Sequence, residues 1–256
     1  MIELNLKKYI GFSIIILLII LSLLSVDLKI YEIFELQNLL NILNFLNEFL
    51  NPNLSILFLK KLLFSLFETL LISFISTFCA FLLTFFILII CYECSNKFLI
   101  AIKLILSFLR SIPELIWALI LVILLGLGPI TGIFALFIHT TGVLGKLFLD
   151  TVENTSTTEN FVFRISGANK IKIFFSQTFY KIFPNLLNFT FYRWENNIRA
   201  ASILGFIGAG GVGQLLYYHM SLFNYNEVST ITISIILIIF LVDSLSAFIR
   251  NKLIFN

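Results

Sequence analysis

Residues 62–91 read LLFSLFETLLISFISTFCAFLLTFFILIIC, an apolar run longer than one membrane crossing requires. A helix of about 20 residues covers the roughly 30 Å hydrocarbon layer of a bilayer, so this run must tilt or protrude. The rest of the 256-residue chain has the same character, with 59% hydrophobic and 12% charged residues and a mean hydropathy of +1.04. A soluble domain needs more surface charge than this. The sequence therefore predicts an all-α membrane protein.

The apolar runs together predict about six membrane-spanning helices. Lys7 and Lys8 precede the first run, as in a signal peptide, but the run is longer than the apolar region of a signal peptide and no small-residue cleavage site follows it. We therefore expect it to be an uncleaved span. The predicted spans are Tyr9–Val26, a helix within Leu62–Cys91, Pro113–Leu125, Ile130–Leu149, a helix from Pro184 to just before Gly205, and Glu227–Ile249.

The segment Asp27–Asn53 differs from its neighbours because polar residues interrupt the apolar ones at helical spacing. This pattern is typical of an amphipathic helix on a membrane surface, and Pro52 with its flanking asparagines is expected to end it. We therefore divide the chain into two parts. Residues 1–59 form an N-terminal transmembrane helix with an amphipathic outer segment, and residues 60–256 form the main transmembrane domain.

Lys and Arg collect at the two termini and in the segments Lys97–Arg110 and Thr151–Phe183, which six spans place on one side of the membrane. Basic residues mark the cytoplasmic side, so both termini are predicted to be cytoplasmic and Asp27–Asn53 to lie outside. Lys60 and Lys61 are exceptions. Their long side chains can reach water from the outer end of the second span.

Charge and cysteine content exclude several kinds of function. The net charge is only +3 and no basic run could neutralise several phosphates, so no nucleic-acid partner is expected. Cys91 and Cys94 have C-x-x-C spacing, but no βαβ pattern surrounds them and no second Cys or His pair could complete a zinc site. We expect no metal and no cofactor, and we interpret these cysteines as small apolar residues at a membrane edge.

Three further stretches carry a family resemblance. They are RSIPELIWA at 110–118 followed by GLGP at 126–129, HTTGVLGKLF at 139–148 running on to Glu153, and YRWENNIRAASILGFIGAGGVG at 192–213. In this order they resemble the permeases of binding-protein-dependent ABC importers, most closely the phosphonate-importer permease family, from about Lys60 to the C-terminus. The residues that we assign to the structural motif are Arg110, Pro113, Glu114, Gly208, Gly210, Gly211 and Gly213.

The resemblance implies an ABC importer (type I) permease-like fold that acts as a homodimer. Its partners would be a second permease copy, ABC ATPase subunits on the cytoplasmic side, an extracytoplasmic solute-binding protein and the lipid bilayer. It implies a multi-pass protein of the bacterial plasma (inner) membrane that provides a pathway for phosphonate or a related small phosphorus oxyanion. Phosphate, phosphite and methionine are alternative substrates.

The resemblance also implies that residues 151–183 form the cytoplasmic loop that docks on the ATPase. The candidate residues of this loop are Glu159, Arg164, Gly167, Ala168 and Pro184. The chain departs from the family pattern of a glutamate, two alanines and a later proline at Phe161, Val162, Phe163 and Tyr180. Glu159 could replace the missing glutamate only from a different helical face.

The glycine cluster Gly208–Gly213 is not a nucleotide site on this interpretation. It lacks the lysine of a P-loop and follows an apolar helix rather than a strand. Its glycines predict a tight re-entrant turn and close helix packing. The chain is therefore expected to be a transport subunit without its own ATPase site, and not an enzyme.

The predicted fifth span contains three charged residues, Arg193, Glu195 and Arg199, with Asn196 and Asn197 between them. Each charge would cost roughly 2.5–3.5 kcal/mol at the bilayer centre, so these side chains must face protein or water. Glu195 and Arg199 are four residues apart and are predicted to pair. Two interpretations remain open: a network that locks helices together, or a translocation pathway in which a guanidinium group attracts an oxyanion.

Three other polar residues have simpler interpretations. Glu114 directly follows Pro113 and is expected to stabilise the N-terminus of a helix. His139 lies in an apolar segment and is interpreted as a packing histidine rather than a proton relay. Asp243 in the last span is expected to bond a neighbouring helix.

Two other classes of function are less consistent with the sequence. An ion-coupled secondary transporter would favour inverted internal repeats, and the two halves of the chain show no such symmetry. A membrane-embedded transferase would need clustered His, Asp and Glu residues. The two histidines, His139 and His219, lie in different segments.

Overall fold

A computed structural model describes the backbone of residues 2–25, 35–155 and 169–254. Within these ranges the chain is helical with short turns and contains no strand, which confirms the all-α class. The chain divides into two compact units, Met1–Leu50 and Asn51–Asn256.

The first unit contains two helices, α1 (Ile2–Ser25) and α2 (Leu36–Phe49). In α2 the asparagines and Glu48 share one side, because they recur at helical spacing between leucines and phenylalanines. The predicted amphipathic helix is therefore present, and it ends just before Asn51-Pro52 as expected. The earlier part of that segment, residues 26–34, lies outside the described residues.

The second unit is a bundle whose centre is formed by three helices: α3 (Ile56–Glu93), α6 (Pro129–Glu153) and α8 (Phe179–Leu204). Small hydroxyl residues allow α3 to approach its neighbours closely. Ser73, Ser76 and Thr77 are buried there, and each hydroxyl donates to a carbonyl of the same helix. The surrounding core is aliphatic and aromatic, and its fully buried members include Leu88, Leu106, Leu144, Phe148, Phe174 and Leu186.

Helices α4 (Asn96–Ser111) and α5 (Glu114–Leu125) meet at a sharp break, with an angle of 86° between them. Ile112 is extended there because it precedes Pro113. The indole N–H of Trp117 donates to the Leu109 carbonyl at 3.1 Å and ties the two helices across the break.

The predicted third span, Pro113–Leu125, is too short to cross the membrane by itself. Helix α5 has 12 residues, which is about 18 Å at 1.5 Å per residue and less than the hydrocarbon layer. It can cross only as part of one bent span with α4. Hydropathy alone does not reveal this, because α5 is strongly apolar and only its length excludes a crossing by α5 alone.

By length and composition, three described helices can cross a membrane alone: α3, α6 and α10 (Tyr225–Ile254). The number rises to five if each of two bent helix pairs forms one span. In α1 the described apolar stretch is Gly11–Leu23. The estimate of about six spans thus depends on how the bent pairs and α1 are counted.

Glycines in α6 allow α4 to lie directly against it. A Cβ atom added to Gly142 would stand 2.6 Å from the Arg110 backbone nitrogen and 2.8 Å from the Leu106 carbonyl oxygen. A Cβ atom on Gly145 would stand 2.7 Å from the Leu106 side chain. A larger residue at Gly142 would meet the backbone of α4 and push that helix away, whereas at Gly145 it would meet the flexible end of the Leu106 side chain.

Helix α8 begins before the predicted start of the fifth span. A short helix α7 (Lys170–Ile173) and a π-helical turn (Phe174–Thr178) lead into it without interruption. Pro184 consequently lies inside α8 rather than at its beginning. Inside a helix a proline removes one N–H donor and its ring crowds the carbonyl four residues earlier, but α8 continues past Pro184.

The glycine cluster forms the predicted tight turn between α8 and α9 (Gly211–Ser221). Gly208, Gly210 and Gly211 have φ values of +86°, +81° and +72°, which side chains other than glycine rarely adopt. Two side chains of α3 cap the start of α9: Glu68 accepts from the Gly211 N–H at 2.9 Å, and the Thr69 hydroxyl accepts from the Val212 N–H at 2.8 Å. Glu68 was not singled out in the sequence, because its partner is 143 residues away.

Candidate functional site

The charged and amide residues of α8 separate onto two faces. Successive residues of an α-helix are rotated by about 100°, so residues two apart lie on nearly opposite sides. Arg193 and Asn197 face α3 and α6, whereas Glu195 and Arg199 face α10. The sequence suggests one candidate pathway formed by five residues of this stretch. The structure divides them between two sites. The five are Arg193, Glu195, Asn196, Asn197 and Arg199.

Asn197 lies at the centre of the first site. Its amide nitrogen donates to the Thr77 hydroxyl of α3 at 2.8 Å and to the Thr140 hydroxyl of α6 at 2.9 Å. Asn197 and Thr140 have no exposed surface, and Thr77 is 3% exposed. Burying an amide is favourable only when its hydrogen bonds are made. Asn197 therefore ties the three central helices together.

Arg193 lies one turn before Asn197 and extends the same network. Its Nη2 atom is 2.5 Å from Nδ1 of His139, and its Nε atom donates to the Thr140 hydroxyl at 3.3 Å. The carboxylate of Glu114, at the start of α5, lies 3.4 Å from the same Nδ1 atom of His139. These side chains form what we call the polar cluster, whose members are Thr77, Glu114, His139, Thr140, Arg193 and Asn197.

Two earlier interpretations change with this geometry. His139 was expected to be a packing histidine, but it contacts a guanidinium and a carboxylate. Glu114 is the first residue of α5, as expected, and it also belongs to the cluster. The sequence offers no local sign of these contacts, since His139 and Arg193 are 54 residues apart.

The second site lies between α8 and α10. Arg199 Nη2 bonds Asp243 Oδ2 at 2.6 Å, and Glu195 pairs with Arg250. We call these four residues the charge seam. The predicted Glu195–Arg199 pair is wrong, because each residue has a partner of opposite charge on α10. The expectation that Asp243 bonds a neighbouring helix is confirmed.

Asn196 joins the seam only at its edge. Its side-chain amide donates to the Tyr192 carbonyl of its own helix at 2.9 Å, and its oxygen accepts from Arg199 at 3.2 Å. Both contacts are exposed. Asn196 and Asn197 are therefore adjacent in sequence but occupy unlike environments.

An apolar groove of about 210 Å³ runs between α3 and α8 beside the polar cluster. Thr77 is shared by the groove and the cluster, and Trp194 also lines the groove. The other lining residues are Phe74, Phe78, Phe81, Leu187, Thr190 and Phe191. The groove offers few polar groups, so polar recognition in this part of the bundle depends on the cluster.

The remaining candidate residues are either outside the described ranges or structural. Glu159, Arg164, Gly167 and Ala168 lie in residues 156–168, which are not described, as do Phe161, Val162 and Phe163. Tyr180 is 74% exposed at the start of α8. Among the described residues, no group of three His, Cys, Asp or Glu side chains could hold a metal ion.

Comparison with known proteins gives a family match over most of the second unit. The family described as "Binding-protein-dependent transport system inner membrane component" matches residues 95–254. This range contains five of the six members of the polar cluster and the whole charge seam. Thr77 lies outside it.

Two curated relatives are proteins of Stutzerimonas stutzeri. The phosphite transport system permease protein PtxC is 33% identical over 149 residues, which cover 58% of this chain and 54% of PtxC. HtxE, provisionally named as a phosphite transport system permease protein, is 40% identical over 148 residues, covering 58% of this chain and 57% of HtxE. The chain thus matches little more than half the length of these relatives.

One solved structure, reported as the MetNI methionine ABC transporter in inward-facing conformations, has a chain with a similar fold. The superposition has a TM-score of 0.70 and covers 78% of this chain and 99% of that one. The sequences are only 19% identical, so the likeness concerns the arrangement of helices.

Proposed function

Because the chain belongs to the family of binding-protein-dependent transport system inner membrane components, we propose that it is the permease subunit of an ABC importer for a small phosphorus oxyanion. The family consists of transport components, and the curated relatives are named as phosphite permeases. The substrate, the partners and the whole activity are proposals, since the match spans little more than half of those relatives.

The position of the Arg193 guanidinium is the observation that supports an oxyanion as the solute. Its guanidinium extends from α8 to α6, where it contacts His139 and Thr140. Its contacts to His139 and Thr140 use two of the five N–H donors that a guanidinium has. A guanidinium presents paired donors that match the spacing of oxygen atoms on phosphorus.

The polar cluster also has a feature suited to transient binding. Glu114 stands close to His139 and supplies a negative charge near Arg193. An entering anion must compete with this carboxylate, which weakens its binding. A pathway needs weak binding, because a tightly held solute would not be released to the cytoplasm.

Partners and orientation follow from the same proposal. Two copies of the chain would form the pathway, an extracytoplasmic binding protein would deliver the solute, and ABC ATPase subunits would dock on the loop within residues 151–183. Both termini would then be cytoplasmic. Lys170, Lys172 and Lys181 lie at the described end of this loop, in agreement with a cytoplasmic side rich in basic residues.

The test is transport into vesicles that contain this chain with the ATPase and binding protein encoded beside it. Phosphite, a phosphonate, phosphate and methionine would be offered as separate solutes, with ATP either inside the vesicles or absent. ATP-dependent uptake of a phosphorus oxyanion is the expected result. Uptake of methionine alone, or uptake that needs an ion gradient rather than ATP, would overturn the proposal.

A further inference from the structure

The guanidinium of Arg193 and the carboxylate of Glu114 approach the same ring nitrogen of His139, and each needs a different hydrogen-bonding role from it. Arg193 Nη2 lies 2.5 Å from Nδ1, and Glu114 Oε2 lies 3.4 Å from it. A guanidinium can only donate hydrogen bonds, and a carboxylate can only accept them. Nδ1 can therefore serve one of these partners at a time: it accepts from Arg193 when it carries no hydrogen, and it donates to Glu114 when it carries one.

The distances favour the first of these arrangements, since Arg193 is the nearer partner. We therefore assign His139 a neutral imidazole whose Nδ1 accepts from Arg193. His139 is 8% exposed. In this state the positive charge of Arg193 and the negative charge of Glu114 balance, so the cluster as a whole is neutral.

An oxyanion bound to Arg193 would disturb this balance. A monovalent anion would leave the cluster with a net negative charge in a mostly buried position, and an uncompensated buried charge is costly. The anion would also take the guanidinium away from Nδ1 of His139. One proton added at Nδ1 corrects both effects, because it restores neutrality and gives Nδ1 a bond to Glu114.

We propose that the polar cluster binds a monovalent phosphorus oxyanion together with one proton from solvent. Arg193 then leaves His139 and bonds the anion. His139 takes up the proton at Nδ1 and donates a hydrogen bond from that nitrogen to Glu114. This inference rests on the proposed oxyanion transport. It makes His139 and Glu114 positioning residues that release Arg193 to the solute. No covalent bond changes except that one N–H bond forms at Nδ1 and one proton leaves the solvent.

Among the described residues, two charged groups contact His139. Glu114 comes from α5, and Arg193 comes from α8, with Tyr192 beside it. On α4 the backbone of Arg110 lies near the ring, and Thr77 of α3 bonds Asn197 rather than His139. The imidazole is therefore the group that takes up the proton, and the carboxylate of Glu114 balances the charge of the protonated ring.

The proton can be observed directly because the chain has only two histidines. We would label the chain with 15N-histidine, replace the other histidine (His219→Gln), and place it in lipid nanodiscs with unlabelled ATPase subunits. The expected spectrum without solute shows a hydrogen-free Nδ1 on His139. Saturating phosphite should move that resonance to the position of a protonated nitrogen.

Glu114→Gln provides the matched variant, since glutamine keeps an acceptor oxygen at this position but has no charge. In that variant, phosphite should leave Nδ1 of His139 without a proton. A wild-type Nδ1 that is already protonated without phosphite would overturn the inference. An Nδ1 that stays unprotonated at saturating phosphite, or a Glu114→Gln chain that responds as the wild type does, would overturn it too.

The same variants would be reconstituted into vesicles with the ATPase and the binding protein and tested for ATP-dependent phosphite uptake, which separates proton binding from transport. If uptake is present but the His139 resonance does not respond, proton binding is rejected and the transport function stands. If neither phosphite nor another phosphorus oxyanion is taken up, the proposed function itself is rejected, and this inference with it.

Discussion

The polar cluster and the charge seam lie on opposite faces of α8 and use the same kinds of residue in different ways. In the seam, every charge has a partner of opposite charge on α10. In the cluster, the nearest partners of Arg193 are an imidazole and a hydroxyl, and the only carboxylate contacts that imidazole. The seam can therefore hold helices together by charge pairing, whereas the cluster keeps a cation with donors to spare.

The largest effect is expected when Arg193→Gln removes the cation of the cluster. Initial rates of phosphite uptake should fall by at least about a hundredfold, because both the charge and the paired donors for the anion are lost. Glutamine can still bond His139 or Thr140, so co-purification with the ATPase should be unchanged. Uptake within a few fold of the wild type would show that the cluster is structural.

A large effect on stability, rather than on transport, is expected when Arg250→Ala breaks the seam. The carboxylate of Glu195, which is 6% exposed, would remain buried without its partner. The cost should be about 3 kcal/mol in the free energy of unfolding. Thermal unfolding of the purified chain in detergent would measure it.

The matched control for that variant neutralises the orphaned carboxylate as well. Adding Glu195→Gln to Arg250→Ala should recover most of the lost stability, since no uncompensated charge then remains. A double variant as unstable as Arg250→Ala alone would contradict the role of the seam as a charge pairing.

A smaller effect is expected from Asn197→Ala, and the adjacent asparagine provides its control. The Asn197 amide bonds the Thr140 hydroxyl, which in turn bonds Arg193. Without the amide, the hydroxyl is held less firmly beside Arg193. Uptake should fall about tenfold and stability by about 1–2 kcal/mol. Asn196→Ala should change neither measurably, because its contacts are exposed. Equal effects of the two variants would mean that the faces of α8 do not differ as described.

The smallest effect is expected from Asp243→Asn, which keeps an oxygen atom within reach of Arg199. Both side chains of this pair are well exposed in the isolated chain, at 44% and 38%. An exposed ion pair contributes at most about 1 kcal/mol, so uptake should stay within twofold and the unfolding temperature should fall only slightly. A loss of stability as large as that of Arg250→Ala would show that this end of the seam is enclosed in the functional assembly.

Much of the fold could be predicted from the sequence, because hydropathy and glycine or proline signals act locally. The apolar runs located α3, α6 and α10, and the glycine cluster located the turn before α9. The failures have physical reasons that hydropathy does not record. Helix α5 is as apolar as a spanning helix but is too short to cross alone, and Pro184 lies inside α8 rather than at its start.

The site was less predictable, since it depends on contacts between distant parts of the chain. Arg193 and Asn197 were identified as candidates because charges and amides are rare in an apolar helix. Their partners were not identified: Thr77 is 120 residues from Asn197, and His139 was assigned a packing role. The division of α8 into two faces does follow from helical periodicity, but the partner of each face requires the packed structure.

The most direct test compares two arginines of α8 in one assay, Arg193→Gln and Arg199→Gln, by the initial rate of ATP-dependent phosphite uptake into vesicles at matched amounts of assembled complex. We expect Arg193→Gln to lower the uptake rate by at least about a hundredfold, since the solute needs the donors of Arg193. Arg199→Gln should keep the rate within about threefold of the wild type, since exposed ion pairs contribute little. Equal losses in the two variants, or a larger loss for Arg199→Gln, would contradict the assignment of the pathway to the polar cluster.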